Sequence, residues 1–211
     1  MATSRALSAH QSKTKLLDAA LRVIRTKGYT GTTIDDICHA AGVTKGSFFH
    51  HFSSKEELAV SAANYWAETT DGLFATAPYH AHSDPLDRVL GYIDFRKTIL
   101  QGTLPEFTCL VGTMVQETYD TVPTIRDACE RSISGHAAHI AVDIAAAMQQ
   151  HNIQADWTAD SLALHTQAVL QGAFILAKAK GTAHVAADSV DHLRRYVEML
   201  FGKCASTKTV N

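Results

Sequence analysis

Apolar residues recur at three- and four-residue spacing along most of this chain, the period of a helix with one buried face. Leu17, Ala20, Leu21 and Ile24 predict a first helix over residues 12–27, with Lys27 in its last turn and Gly28 as a left-handed cap. Thr32 and Thr33 then open a short second helix. Each is followed three residues later by an aspartate (Asp35, Asp36) that sits at the positive end of the helix dipole. That helix ends near Ala41, Gly42 makes the turn, and Thr44 caps a third helix that runs to His51. Phe48 and Phe52 share the inner face of the third helix, while Ser47, His50 and His51 point away from it. Two short helices joined by a three-residue turn, the second polar on its outer face, form the helix-turn-helix pattern.

Ser53 or Ser54, with Glu56 or Glu57, forms a capping box for a fourth helix. Its stripe of Leu58, Ala62, Tyr65, Thr69 and Leu73 carries it to Thr76, leading from the N-terminal third into the rest of the chain. After a loop over residues 78–85 that holds His80 and His82, the pattern predicts helices over 85–101, 105–118, 123–150, 158–179 and 186–203. Pro105 and Pro123 stand at helix starts. Ile125, Cys129, Ile133, Ile140, Ile144 and Met148 form one stripe, and Val190, Leu193, Val197 and Leu200 another. The expected architecture is all-α, with nine helices and no strand. It comprises a three-helix helix-turn-helix domain over 1–55, a helical domain over 56–204, to which the resemblance described below assigns effector binding and dimerisation, and a flexible tail over 205–211.

An apolar content of 46% supports a core for this architecture. Cys38, Cys109, Cys129 and Cys204 are scattered, with no Cys-x-x-Cys pair, and read as reduced thiols in place of a disulfide framework or zinc knuckle. Neither a signal peptide nor an apolar run of membrane length occurs, so a cytoplasmic protein is expected. The net charge of −2 is unevenly placed: residues 1–60 hold eight Lys/Arg against five Asp/Glu, and residues 61–211 hold eleven against sixteen. A basic head on an acidic body suits a DNA-reading module joined to something that avoids DNA.

Residues 30–58 sharpen that reading. Thr32-Thr33-Ile34-Asp35-Asp36-Ile37, then Ala40-Ala41-Gly42-Val43-Thr44-Lys45-Gly46-Ser47-Phe48-Phe49-His50-His51-Phe52, then Ser54-Lys55-Glu56-Glu57-Leu58 closely resemble the DNA-binding domain of TetR-family regulators. The match runs ungapped from about Leu16 to Leu58, whereas the body resembles the family in length, helix pattern and a few local runs. The resemblance implies a repressor that binds a palindromic operator on double-stranded DNA as a homodimer. It is released when a small, partly hydrophobic effector changes the spacing of the two heads. It further implies that Lys45 approaches base edges or phosphate, that Phe49 and His50 contact DNA, and that His51 and Lys55 lie near phosphate. The family's usual tyrosine is Phe49 here, which removes a phosphate hydrogen bond but leaves a ring able to pack on a thymine methyl. Cys38 replaces a usual alanine and is small enough to fit.

On physical grounds alone, Ser47 and His50 are small enough to enter a major groove. The Thr33 hydroxyl and the free N–H groups beside it can hold a phosphate, a role that competes with ordinary capping. With Thr44, the expected DNA contacts are Thr33, Thr44, Lys45, Ser47, Phe49, His50, His51 and Lys55.

In the body, residues 168–177 are apolar on more than one face, and Gly172, Ala173 and Ala177 permit close helix approach. The run resembles the family's penultimate helix, which builds a four-helix dimer interface with the last one. Val169, Gly172, Ala173, Leu176, Leu193 and Val197 are the interface residues this implies, although internal core explains the run as well. The middle helices are expected to surround a pocket lined by Phe95, Ile99, Leu104, Phe107, Leu110, Met114 and Tyr119, with Cys109 near them. Residues 107–112 resemble a Gly-Cys-x-x-Gly-like run in a branch of the family where some members sense electrophiles. No neighbouring Lys or Arg lowers the Cys109 pKa, and a small buried hydrophobe is the plainer reading.

His136, His139 and Asp143 fall on one side of a helix, and His165 lies on the next. These donors suit Zn(II), yet Ile140 sits beside them. Contacts to a ligand, or ordinary hydrogen-bonded histidines, explain them without a metal. No metal and no cofactor are expected; His136, His139 and His165 join the effector-contact set. No nucleophile elbow, phosphate loop or metalloprotease spacing occurs, so catalysis is not expected. Two alternatives stay open: a DNA-binding dimer with no small-molecule ligand, and a thiol sensor acting through Cys109. The acidic body favours a neutral or cationic effector, unless its acids lie on the outer surface.

Overall fold

A computed structural model of the chain describes residues 2–203, with side chains from Gln11 onward. The expected tail and Cys204 lie outside the described residues. Among the described residues, ten α-helices and one 3-10 turn (Pro78–Ala81) make up the regular structure: α1 (Ala2–Lys27), α2 (Ile34–Ala41), α3 (Lys45–His51), α4 (Lys55–Ala75), α5 (Pro85–Thr98), α6 (Leu104–Phe107), α7 (Leu110–Thr118), α8 (Pro123–Gln150), α9 (Ala159–Lys180) and α10 (His184–Leu200).

Two differences from the pattern have physical causes. Helix α1 begins at Ala2, ahead of Ser12; residues 2–11 lack the apolar stripe from which a helix is read, so the pattern did not predict this first part. The single helix expected over 105–118 is two, α6 and α7. Cys109 leaves helical geometry (φ −78°, ψ 126°), and its Sγ accepts a hydrogen bond from the Gly112 N–H at 3.4 Å, so α7 starts afresh.

The chain divides into two compact units. The first is Met1–Asp71 with Thr108–Ile133, and the second is Gly72–Phe107 with Ser134–Asn211. Helices α4 and α8 each run unbroken across a division. In the first unit, Leu16, Leu17, Ala20 and Ile24 of α1 pack with Ile37, Phe48, Phe52, Leu58 and Ala62. Leu110 and Met114 of α7 and Ile125 and Cys129 of α8 complete that core. Burial of each large apolar side chain contributes about 1.5–3 kcal/mol. Polar ties join residues 108–124 to α1, the loop after it and the start of α4. The Glu117 carboxylate accepts from the N–H groups of Tyr29 (3.2 Å) and Thr30 (2.7 Å), the Arg25 Nη1 donates to the Thr108 carbonyl (3.4 Å), and Thr124 Oγ1 donates to Glu56 (2.6 Å). The Glu117 contact needs Gly28: a Cβ there would lie 2.2 Å from the carboxylate, at a φ of +79°. Among the described residues, one buried hydroxyl, Thr108 Oγ1, has no hydrogen-bond partner.

In the second unit α10 packs along α9 and α5. Ion pairs between Lys97 and Asp191 (2.7 Å), Arg194 and Asp94 (2.9 Å), and Lys203 and Asp87 (2.8 Å) fasten α5 to α10 and the residues after it. Gly91 lets the 3-10 turn ride directly on α5, since a Cβ there would meet the Tyr79 Cβ at 2.7 Å.

Candidate functional site

The helix-turn-helix is set by local chemistry. Thr33 Oγ1 accepts from the Asp36 N–H (3.1 Å) and Asp36 Oδ2 accepts from the Thr33 N–H (2.9 Å), a reciprocal capping box. Gly42 takes the left-handed conformation (φ 64°) that turns the chain out of α2. Thr44 Oγ1 accepts from the Ser47 N–H (3.2 Å) to start α3. Adjacent phenylalanines on α3 then part: Phe48 is fully buried, with its ring 5.8 Å from that of Phe52, while Phe49 is 56% exposed.

The expected DNA-contact residues fall into two groups. Thr33, Thr44, Lys45, Phe49 and His50 are exposed and Ser47 is half-buried, on or beside the outward side of α2 and α3. Lys45 pairs with Asp35 at 2.9 Å, and Thr33 Oγ1 also donates to Asp36 (2.8 Å), so a phosphate at either would replace a carboxylate. His51 is half-buried, its Nε2 2.5 Å from Ser12 Oγ, and burial holds its pKa below the ordinary histidine value. The Lys55 ammonium donates to the carbonyls of Tyr29 (3.0 Å) and Thr32 (2.9 Å) and lies 4.3 Å over the Tyr29 ring, which braces the loop before α2.

The expected effector residues do not converge on one place. Leu110 and Met114 are fully buried in the core of the first unit, and Tyr119 is exposed in that unit. Cys109 is half-buried as the cap of α7. In the second unit Phe107 packs toward Phe174 (6.4 Å between rings), Leu104 and Phe107 lie against Ala173, Ala177 and Ala186, and Ile99 ends α5 half-buried. His139 and His165 are exposed, the latter with its ring 5.1 Å from that of Tyr196. Of the expected donors, His136 and His139 come together, with ligand atoms within 4.8 Å of one another, whereas Asp143 is taken by Arg88 at 2.8 Å and His165 packs on Tyr196.

Phe95 and His136 do meet, in a cluster the sequence did not announce. Rings of Phe74, Tyr79, Tyr92 and Phe95 pack against one another, and the guanidinium of Arg96 lies with its Cζ 4.4 Å over Phe74 and 5.2 Å over Tyr92. Arg96 donates from Nε to the Tyr92 hydroxyl (2.8 Å) and from Nη2 to His136 Nε2 (2.7 Å), and buried Gln167 donates to the same hydroxyl (3.2 Å). Burial first, and Arg96 second, pull the His136 pKa down to about 3. Burial pushes the Tyr79 phenol up to about 12. One signal was present in the sequence: Arg96 continues the buried stripe of Leu86, Val89 and Ile93 on α5.

Of the expected interface residues, Ala173, Leu193 and Val197 are buried within the subunit, Val169 and Gly172 are half-buried, and Leu176 is exposed. The large apolar side chains presented outward on these helices are Leu164, Ile175 and Leu176 of α9 and Tyr196 and Met199 of α10, with Met199 68% exposed. No helix among the described residues is long and apolar enough to cross a membrane.

Comparison with known proteins agrees with this geometry. Residues 16–62 match the family model of bacterial regulatory proteins of the tetR family, and residues 85–193 match that of the tetracyclin repressor-like C-terminal domain. The chain is 37% identical over 57 residues to the uncharacterized HTH-type transcriptional regulator YerO of Bacillus subtilis (27% of this chain, 20% of that protein). It is 29% identical over 134 residues to the HTH-type transcriptional regulator LmrA of the same species (60% and 67%). The match to YerO thus spans about a fifth of that relative's length. A crystal structure of a TetR transcriptional regulator from Chloroflexus aurantiacus superposes with a TM-score of 0.78 at 28% identity, covering 90% of this chain and 96% of that one. The chain belongs to the TetR family of bacterial transcriptional regulators.

Proposed function

We propose that the protein is a homodimeric repressor of the bacterial cytoplasm. Two copies read a palindromic operator through α2 and α3, and a small, partly hydrophobic effector bound in the second unit releases them. The contrast on α3 carries this reading. Phe48 anchors the helix in the core while Lys45, Phe49 and His50 are left to solvent. A structural helix has no need of an exposed aromatic beside exposed polar groups; a recognition helix does.

The outward apolar side chains of α9 and α10 support dimerisation. A monomer would leave Leu164, Ile175, Leu176, Tyr196 and Met199 in water. A two-fold dimer reads a palindrome, and the second head then binds at high effective concentration. An effector that favours one spacing of the heads weakens DNA binding without touching α3. The Cys109 thiol is occupied in capping α7, which gives thiol sensing no separate support.

Selection of fragments from the organism's own DNA by the purified protein, at fixed near-physiological salt, tests the proposal. Enrichment of one palindrome is expected. Equal recovery of all fragments by a folded dimer would overturn the recognition-helix assignment.

A further inference from the structure

We propose that the effector is an organic anion, its carboxylate held by Arg96 and its apolar part by the rings of Phe74, Tyr79 and Phe95. This rests on the ligand-responsive reading above and adds the sign of the ligand's charge.

The other half-buried arginines of the second unit are matched to acids, Arg88 to Asp143 at 2.8 Å and Arg194 to Asp94 at 2.9 Å. Arg96 is half-buried too, yet its hydrogen-bond partners among the described residues are two neutral groups, the Tyr92 hydroxyl and His136 Nε2. A guanidinium partly withdrawn from water with no carboxylate among its hydrogen-bond partners favours gaining one. It also has five N–H donors, and two are engaged here. The remaining donors on Nη1 and Nη2 are the fork that a carboxylate accepts in parallel.

The same features argue against a cation. The ring faces of Phe74 and Tyr92 that would stack an ammonium are already covered by the guanidinium, and a second positive charge would be repelled. Four acids of the second unit are engaged with other cations: Asp143 with Arg88, Asp191 with Lys97, Asp94 with Arg194 and Asp87 with Lys203. The expectation of a neutral or cationic effector held only if such acids faced the ligand, and these four face other side chains.

The test uses the full chain, with benzoate, phenylacetate and octanoate as probes, each against its own amide, and benzyltrimethylammonium as the cation. Binding is measured by calorimetry, and release of DNA by loss of fluorescence anisotropy. At least one acid is expected to bind about 10- to 100-fold more tightly than its amide. Arg96→Met should erase that preference. Arg96→Lys keeps the charge, loses the planar fork and should weaken acid binding; it serves if the methionine variant does not fold. Equal binding of acids and amides, tighter binding of the ammonium, retention of the acid preference in a folded Arg96→Met, or no acid binding at about 10 mM would each overturn the proposal. DNA binding by the unliganded protein, measured on the same sample, separates the two readings. It fails if the regulatory proposal is wrong and persists if only the anion assignment is.

Discussion

Arg96 Nη2 and His136 Nε2 lie 2.7 Å apart. A guanidinium can only donate, so Nε2 must be the acceptor, and His136 is therefore neutral with its proton on Nδ1. Of this pair only Arg96 is charged, and the proposed ligand chemistry follows from it.

The pair also makes stability depend on pH. The ordinary histidine value is 6.5 and that of folded His136 is about 3, so between these values the unfolded chain binds a proton that the folded chain does not. Stability is fully present above about 6.5 and falls as pH drops through this window, with a limiting slope of about 1.4 kcal/mol per pH unit. Urea unfolding of the native protein and of His136→Gln, at about pH 7 and about pH 5, checks this. The native protein should lose more stability on acidification than the variant. Equal losses would mean that the imidazole accepts a proton in place.

Phe48 and Phe49 are neighbours with opposite consequences. Phe48→Ala should cost about 3–5 kcal/mol of stability by leaving a cavity in the first unit's core. Phe49→Ala should change stability by less than about 0.5 kcal/mol yet weaken operator binding. Thermal melts and anisotropy titrations separate the two effects.

Dimerisation should fail when charge is placed on the outward face of α9. Ile175→Glu with Leu176→Glu is expected to give a folded monomer in sedimentation, with operator affinity reduced together with dimer mass. Gly172→Ala should leave the subunit fold intact, because an added Cβ there meets nothing within 4 Å.

Thr108 offers a stabilising change. Its fully buried hydroxyl has no partner among the described residues, so Thr108→Val removes a desolvated polar group at nearly constant shape. A gain of about 1 kcal/mol is expected in urea unfolding; a loss would mean that the hydroxyl is satisfied by water.

The head was legible because its signals are short-range. Thr33 and Asp36, Gly42, and Thr44 with Ser47 each act within a few residues, and the partition of Phe48 and Phe52 from the polar positions of α3 follows from helix period. The body was less so. Leu110 and Met114 show helical periodicity, but nothing local says that α7 packs into the first unit's core. Tyr92, Arg96, His136 and Gln167 meet only after α5, α8 and α9 have packed. The run over 168–177 is apolar on more than one face, and only packing shows that Ala173 turns inward while Leu176 turns out.

The most direct test of the central claim is the ratio of affinities for the selected operator and for unrelated DNA of equal length, at one salt concentration. It is measured for the native protein and for the double variant Phe49→Ala/His50→Ala. The native ratio should be about 1,000 or more and should collapse in the variant while its melting curve stays unchanged. A ratio near unity for the folded native dimer, or a ratio unaffected by the double substitution, would contradict the assignment of α3 as the helix that reads DNA.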